Sequence, residues 1–465
     1  MFTKLINYLK GVWQKMFSKN QIETIAKEEI TLSNAMVNRI NLWEQMLEGK
    51  APWCNPYNDD EVQSLGLEGA ICREFANTAL SEMDTSLEID ELNELYLDAI
   101  SSLSEKMQNG LGLGEFAIKP IADTGECEVI PADRIIPFEF GADGKLRKCA
   151  FIQIKPQGDN DVYYRLEFHE LTPQGLRIIN KAFKGTDGNI GQEIQLSTVS
   201  EWSSLMPEVM YPGMKHMDFG FYKNPLPNRI DGSENGVSIF ENAVGLIKKA
   251  DIQLNRLDWE FESGERLIFG DYQIFNKTKA TSDSSYTWKM PKGKKRLFVG
   301  IETGDDTVWN EHSPNLREQN FINGLNEYKR EIEFAVGLAY GDLSKGEVVE
   351  KTATEIIASK KRKYDMVTAI QKNLKVCLED FAIALAFYHN MYTAHIGFSC
   401  VFHDSIKVDD ETQRAQDRLD MQLGIMSKIE YRMKWYGEDD HTASNAIALV
   451  NAEIQQSAEH EGDIE

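Results

Sequence analysis

The stretch NRIDGSENGVSIFENAVGLIKKADIQLNRLDWEFESGE, residues 228–265, decides the fold. It opens on turn formers, Asn228, Asp231, Gly232, Ser233, Asn235 and Gly236. Then the period changes. Phe240, Val244, Ile247, Asp251, Leu254, Leu257 and Phe261 share one helical face, and all but Asp251 are apolar. The spacing predicts a helix over 237–262. Residues 266–299 read as β-like and basic. Arg266, Lys277, Lys279, Lys289, Lys292, Lys294, Lys295 and Arg296 face only Asp271 and Asp283, inside a chain of net charge −24. Helical spacing returns over 315–340 on Phe321, Leu325, Tyr328, Ile332 and Ala335. Two helices thus flank a basic β-rich insert, a hairpin-like excursion from whatever body carries it.

Upstream, Met36, Val37, Ile40, Trp43 and Leu47 predict a helix over 33–47, ended by Gly49 and Pro52. Ile71, Phe75, Ala79 and Leu80 predict another over 68–83, and a third is expected over 91–108. After Gly110 the pattern becomes short alternating runs broken by Gly, Pro and Asp-Gly, with turns at 173–175 and 187–188. An antiparallel β region is expected to reach about Phe221.

Downstream lies GDLSKGEVVEKTATE, residues 341–355. It approaches a phosphate-binding loop, but Glu350 stands where that loop needs the Gly before its Lys, and Glu347 adds a second negative charge. The expected role is a polar link, with Gly341 and Gly346 giving backbone freedom. Thr352 and Glu355 make a capping box that starts a helix running to about Tyr392. Carried on Ile356, Tyr364, Val367, Ile370, Leu374, Cys377, Phe381, Leu385 and Tyr388, it would be ~60 Å long. HIGFSCVFHDSIKVDD, 395–410, reads as a strand pair or a strand and turn. Three helical pieces follow from Asp410, the second boxed by Ser427 and Glu430. From Asp404 to the end, fifteen acids face six bases. The last residues, 457–465, are expected to lack order.

With 465 residues, 42% hydrophobic and 27% charged, the chain suits a soluble globular protein of two or more domains. No run of ~18 apolar residues predicts a membrane span. The acidic total argues against tight gripping of a polyanion. Cys54, Cys72, Cys127, Cys149, Cys377 and Cys400 form no CxxC pair, so reduced cytoplasmic thiols are expected, without zinc or disulfides. Residues 1–19 carry Phe2, Leu5, Leu9 and Trp13 at helical spacing, with lysines as their only charges. That suits docking on a partner, or on the protein itself, better than a membrane surface. His389, His395 and His403 lack ligand spacing, and Asp409-Asp410-Glu411 suits a helix start better than a cation. No catalytic motif is present; no enzyme, metal or cofactor is expected.

Four stretches carry a resemblance: VNRINLWEQMLEGKAPW (37–53), IPADRIIPFEFGADGKLRKCAF (130–151), the opening stretch at 228–265, and KTATEI (351–356). Together, and in this order, the chain resembles portal proteins of tailed bacteriophages, of the kind common in siphovirus-type phages of Gram-positive hosts. The resemblance implies an α+β portal fold. An amphipathic helix at 1–19 would lead into an α/β wing at 20–232, returning at 352–409. The two-helix stem would be 233–264 and 315–340, enclosing a β-rich clip at 265–314. A tunnel loop at 341–351 would precede a long helix, kinked or continuous, and a helical crown with an acidic tail would occupy 410–465.

The function implied is a ring of about twelve copies at one capsid vertex, passing double-stranded DNA during packaging and ejection. The implied location is the virion, with host cytoplasm during assembly. Implied partners are the terminase large subunit, a head-completion adaptor, and the major capsid and scaffolding proteins, with no membrane. Lys289, Lys292, Lys294, Lys295 and Arg296 would meet terminase and adaptor. Gly341, Lys345, Gly346, Glu347, Glu350 and Lys351 would face DNA. Phe2, Leu5, Leu9 and Trp13 would dock on capsid or scaffold. The competing readings are another ring-forming head–tail adaptor or structural virion protein without a motor role, a DNA-modifying enzyme with a degenerate site, and a membrane-surface protein.

Overall fold

The computed structural model describes residues 19–450, apart from 55–61, 82, 122–125, 158–160, 187–188, 266, 272–276, 280–285, 289–297, 302–308, 346–352, 393–394 and 403–409. The chain is mixed helix and sheet, and divides into one unit ending at Val401 and a second from Phe402.

The first unit opens with α1 (Lys19–Ala26), α2 (Asn34–Leu47) and α3 (Leu67–Leu80). Ser33 caps α2, its side chain accepting the Met36 N–H, and Met36, Ile40, Trp43 and Met46 bury one face. The single helix expected over 91–108 is two, α4 (Asp90–Ile100) and α5 (Leu103–Leu113). Ser101 ends the first: its amide and its hydroxyl both donate to the Asp98 carbonyl, tightening the last turn. Between α3 and α4 runs β1 (Met83–Ser86).

The β region is antiparallel, as its alternation predicted. β2 (Glu115–Pro120) lies between β3 (Cys127–Pro131) and β10 (Gly220–Lys223). A larger sheet runs β4 (Ile135–Phe140), β5 (Leu146–Gln157), β6 (Asp161–Thr172), β7 (Gly175–Thr186), β8 (Asn189–Ile194). β9 (Glu208–Pro212) shares the free edge of β7 with β8. Cys149, Phe151, Leu176 and Ile178 on one face pack against Met214, Met217 and Phe219.

The opening stretch begins its helix later than expected. α6 runs Val244–Ser263, after a short 3-10 turn at Glu241–Ala243. Residues 236–240 cannot be helical because tertiary bonds claim their backbone. Glu115 accepts the Gly236 N–H at 2.7 Å, Asn224 donates to the Val237 carbonyl, and the Ile239 N–H reaches Leu111. Gly114 and Gly236 cross so closely that a Cβ on either would sit under 3 Å from the other's carbonyl oxygen.

Among the described residues five short strands follow: β11 (Leu267–Asp271), β12 (Lys277–Lys279), β13 (Tyr286–Trp288), β14 (Phe298–Ile301) and β15 (Trp309–His312). β11 is central, parallel to β14 and antiparallel to β15, while β12 pairs with β13. Then come α7 (Glu318–Val336) and the 36-residue α8 (Ala353–Tyr388). Val367, Ile370, Leu374, Cys377, Phe381 and Leu385 bury the predicted stripe of α8. Thr352 of the expected capping box lies outside the described residues. Where a strand pair or a strand and turn was expected over 395–410, the described residues hold the strand β16 (Ser399–Phe402), whose partner is β1, and 403–409 lie outside the described residues.

Among the described residues the second unit holds three helical pieces, as expected: α9 (Asp410–Gln422), α10 (Lys428–Tyr436) and residues 440–450. The Ser427–Glu430 capping box is formed on both sides.

Candidate functional site

The helix pair is built first. Glu260 near the end of α6 accepts the Arg317 backbone N–H at 2.9 Å, and its carboxylate takes Arg317 Nε at 3.1 Å and Nη2 at 2.6 Å. Gln253, two turns back, donates to the Phe321 carbonyl, so α6 and α7 run antiparallel. The apolar face read from the sequence is buried only over its first half. Phe240, Val244, Ile247 and Asp251 are inside, Leu254 and Leu257 are half-buried, and Phe261 is exposed. Trp259 is 62% exposed and Leu316 is also exposed. The reason is positional: toward its end α6 has α7 beside it and no other described helix. Large apolar side chains exposed on such an excursion are surface available to another chain.

The link after α7 is more constrained than its glycines suggested. Glu333, fully buried in the last turn of α7, accepts backbone N–H groups of Gly341, Leu343 and Ser344 on Oε1. Its Oε2 takes the Ser344 hydroxyl at 2.9 Å. Asp342 accepts the Ala339 N–H and pairs with Lys363 of α8, which also holds Glu74. Asn326 accepts the Lys345 N–H at 2.7 Å. Gly341 therefore supplies a required φ of 103° in an anchored turn. The backbone freedom expected of this glycine is used in that φ, while its amide is bonded to Glu333.

Further back, one carboxylate-rich cluster ties β2, β6, the 217–219 segment and α8. Lys119 Nζ lies 2.6 Å from Glu167 Oε2, and Arg165 lies 3.0 Å from the same oxygen. His169 Nδ1 and Asp218 Oδ1 bond at 2.7 Å, and Tyr388 donates to Asp218 Oδ2 at 2.6 Å. Glu167 Oε1 stands 3.2 Å from His169 Nε2, near enough for charge attraction but poorly aligned for a hydrogen bond. Burial opposes every charge here. For Glu167 the attraction of Lys119, then His169 and Arg165, outweighs it and holds the carboxyl well below 4.5. Asp218 is lowered by His169 and Tyr388, and His169 is raised above 6.5 by Asp218 and Glu167. An Asp–His pair invites a catalytic reading, but both side chains are fully buried. The cluster fastens β2, β6, the 217–219 segment and α8 together.

A groove of about 630 Å³ lies on the α8 side, floored by Leu146, Met217, Phe219 and Phe221. Three pairs of rim charges answer one another, Lys145 with Asp380 at 2.8 Å, Arg147 with Asp143 at 2.5 Å and Lys223 with Glu234 at 2.9 Å, and Lys215 also lines the groove. Among the described residues no group of His, Cys, Asp and Glu could hold a metal ion, and no helix is long and apolar enough to cross a membrane. His395 is exposed and 4.0 Å from Glu88, and His403 lies outside the described residues.

Of the residues singled out in the sequence, Gly341 and Lys345 are described, Gly341 bonded inside the anchored turn and Lys345 with an exposed side chain at its end. Gly346, Glu347, Glu350 and Lys351 lie outside the described residues, as do Lys289, Lys292, Lys294, Lys295 and Arg296, and Phe2, Leu5, Leu9 and Trp13. Sequence reading missed Glu333 and the Glu167–His169–Asp218 cluster. The second had a signal: Arg165, Glu167 and His169 alternate along β6, putting three ionisable groups on one face of a central strand.

No family model matches the chain, and no curated protein matches it in sequence. Among solved structures it is similar to a chain described as the neck of an empty GTA particle computed with C6 symmetry. The two share 12% identity at a TM-score of 0.43, over 86% of this chain and 93% of that one.

Proposed function

We propose that this chain is the subunit of a phage-type portal ring, a head–tail structural protein whose central channel passes double-stranded DNA. One observation carries the reading: α6 and α7 form an antiparallel excursion closed by the Glu260–Arg317 clamp, with five short strands between them, and α7 leads through an anchored turn into a 36-residue helix. That is the order of stem, clip, stem, tunnel loop and long helix which the sequence resemblance implies. Exposed Trp259, Phe261 and Leu316 suit packing against neighbouring copies. The charge of −24 suits a wall along which DNA slides without sticking. In this reading the basic segment 289–296 docks the terminase large subunit and then an adaptor, residues 346–351 pass DNA, residues 2–13 dock capsid or scaffold, and no catalysis is performed.

Size and shape test it. The purified protein should run as a large ring with a central hole by negative stain. A monomer or dimer under every condition tried, or ATP hydrolysis by the protein itself, overturns the reading. Charge reversal at Lys292, Lys294, Lys295 and Arg296 should leave rings intact and lower packaging or adaptor attachment. Normal packaging and attachment in that variant removes the role of the basic segment.

A further inference from the structure

The end of α7 and the third turn of α8 gather cations against aromatic rings. The Arg362 guanidinium of α8 lies 4.7 Å from the centre of the Phe334 ring and 4.9 Å from that of Tyr340. Arg330 of α7 approaches the same Tyr340 ring at 5.5 Å. Lys345 stands exposed at the end of the anchored turn, its backbone N–H held by Asn326 at 2.7 Å. Lys360 and Lys361, the two positions before Arg362, are exposed. Phe334 is 56% exposed, so the aromatic side of the cluster reaches solvent as well.

Arg362 differs from its neighbours in having donors to spare. Lys363 is held by Glu74 at 2.5 Å and by Asp342 at 3.2 Å. Glu333 is taken up by the amides of the turn, and Glu327 meets Arg330 at 3.3 Å. Arg362 Nε and Nη2, which together make the forked edge of its guanidinium, have no hydrogen-bond partner and are screened from water. Buried donors are nearly always bonded, and leaving two unmade costs free energy. The rings hold the guanidinium by its faces and use none of its N–H groups. The side chain as a whole is half-buried, so it can turn within its plane and present that edge while the stack persists. Such an edge matches two oxygens of a phosphate or a carboxylate. The surrounding charge decides between them. Among the described residues Lys329, Arg330, Lys345, Lys360, Lys361 and Arg362 outnumber Glu327, Glu331 and Asp365, the acids of the same segments that neither Lys363 nor the turn takes up. A lone carboxylate answers one of these bases, whereas a nucleic-acid backbone answers several.

We propose that Arg362 grips phosphates of a nucleic-acid backbone, with Arg330 and Lys345 as flanking contacts. The duplex it touches is the one that the proposed channel passes, so the site rests on that reading. One fork in a chain of net charge −24 holds a phosphate briefly and lets it go.

Fluorescence anisotropy with a short labelled DNA duplex, titrated with the purified full-length protein between about 50 and 200 mM salt, tests the site. The unaltered protein should bind, with affinity falling as salt rises. Arg362→Gln should weaken binding about fivefold and lower the salt slope by about one. Arg362→Lys should keep the slope and still bind more weakly, because it retains the charge and loses the fork. Arg330→Gln combined with Lys345→Gln, which should lower the slope by about two, reads the same site if Arg362→Gln does not fold. Light scattering on each variant should show an unchanged assembly size. The site is overturned if the unaltered protein shows no salt-dependent duplex binding, or if a folded Arg362→Gln keeps its slope. It is also overturned if Arg362→Gln loses assembly and keeps duplex binding, which gives the fork to a carboxylate of a neighbouring copy. Failure of the unaltered protein to form rings, with Arg362-dependent duplex binding intact, sinks the ring and supports the site.

Discussion

The first unit and the second solve the same problem by opposite means. In the body around β6 and α8, ionisable groups are buried and answered by one another: Lys119 and Arg165 by Glu167, His169 by Asp218, and Asp218 again by Tyr388. In the second unit the ties lie nearer the surface. Arg414 and Arg418 both donate to the Tyr431 hydroxyl, Trp435 donates to Asp417, and Arg432 chelates Glu438. Tyr431 and Ala443 are the buried apolar side chains among the described residues there, while Leu419, Leu423, Ile425, Met433, Tyr436, Leu449 and Val450 are exposed. The body can bury charge because apolar packing on several elements fixes the partners before desolvation is charged against them. The second unit has little core to do that: Asp417 is buried and held by Trp435 and Lys434, while the charges of Arg414, Arg418, Arg432 and Glu438 stay where water can screen them.

The sharpest way to break the comparison is Asp218→Ala. It leaves His169 and the Tyr388 hydroxyl unanswered in a fully buried site. Urea denaturation should show a loss of about 3–5 kcal/mol. A loss under about 1 kcal/mol would mean that the cluster is ornament and that packing alone joins α8 to the sheet. The same cluster sets a pH window. Glu167 and Asp218 are lowered, so their contribution is full above 4.5 and is lost as pH falls through their folded values. His169 is raised, so its contribution is full below 6.5 and is lost as pH rises through its folded value. Glu115, pushed up to about 7 by burial, also loses stability as pH rises. Denaturation midpoints should therefore be higher near about pH 5.5 than near about pH 8, and the reverse order would contradict these signs.

Next in size is Glu333→Ala. It strips an acceptor from three backbone amides and one hydroxyl in the anchored turn. A loss of about 2–4 kcal/mol is expected, with exchange at Gly341, Leu343 and Ser344 rising while the protection of β6 amides holds. Unchanged exchange at those three amides would show that Asp342 and Asn326 suffice to hold the turn. In the proposed ring this turn carries Lys345 toward DNA, so Glu333→Ala should also blur any packaging effect of neutralising Lys345.

What could be read in advance follows from the range of each interaction. Period and capping are local, so α2, the hairpins of β5 to β7, the stripe of α8 and the Ser427–Glu430 box were legible. Residues 237–240 were misread as helix because the bonds that forbid it come from Leu111, Glu115 and Asn224, far back in the chain. β1 and β16 pair across the whole first unit, a match that no local pattern announces. Glu333 carried no mark of its own in the sequence. The nearby Gly341 and Ser344 were the clue, since a chain that turns back tightly must find acceptors for its amides. Asp251 was visible as the odd residue on an apolar face, but its partners Trp53, Cys54 and Leu65 were not.

The smallest expected effect belongs to the second unit and sharpens the contrast most. Tyr431→Phe removes the oxygen that receives both Arg414 and Arg418 and leaves the ring. The two guanidinium groups draw the Tyr431 hydroxyl below its ordinary value of 10, so the tie strengthens as that proton weakens. Both arginines can turn to water, and Arg414 keeps its stacking on Trp435 at 5.7 Å and Tyr436 at 5.5 Å. Loss of the hydroxyl should therefore raise amide exchange in 414–436 only slightly, by a factor of about two to three, and salt should mimic it by screening. Set beside Asp218→Ala, this pair separates a charge that must be answered from one that water can answer instead. A large loss of protection in Tyr431→Phe would show that the hydroxyl is a buried keystone, and that the second unit holds its helices by the same rule as the first.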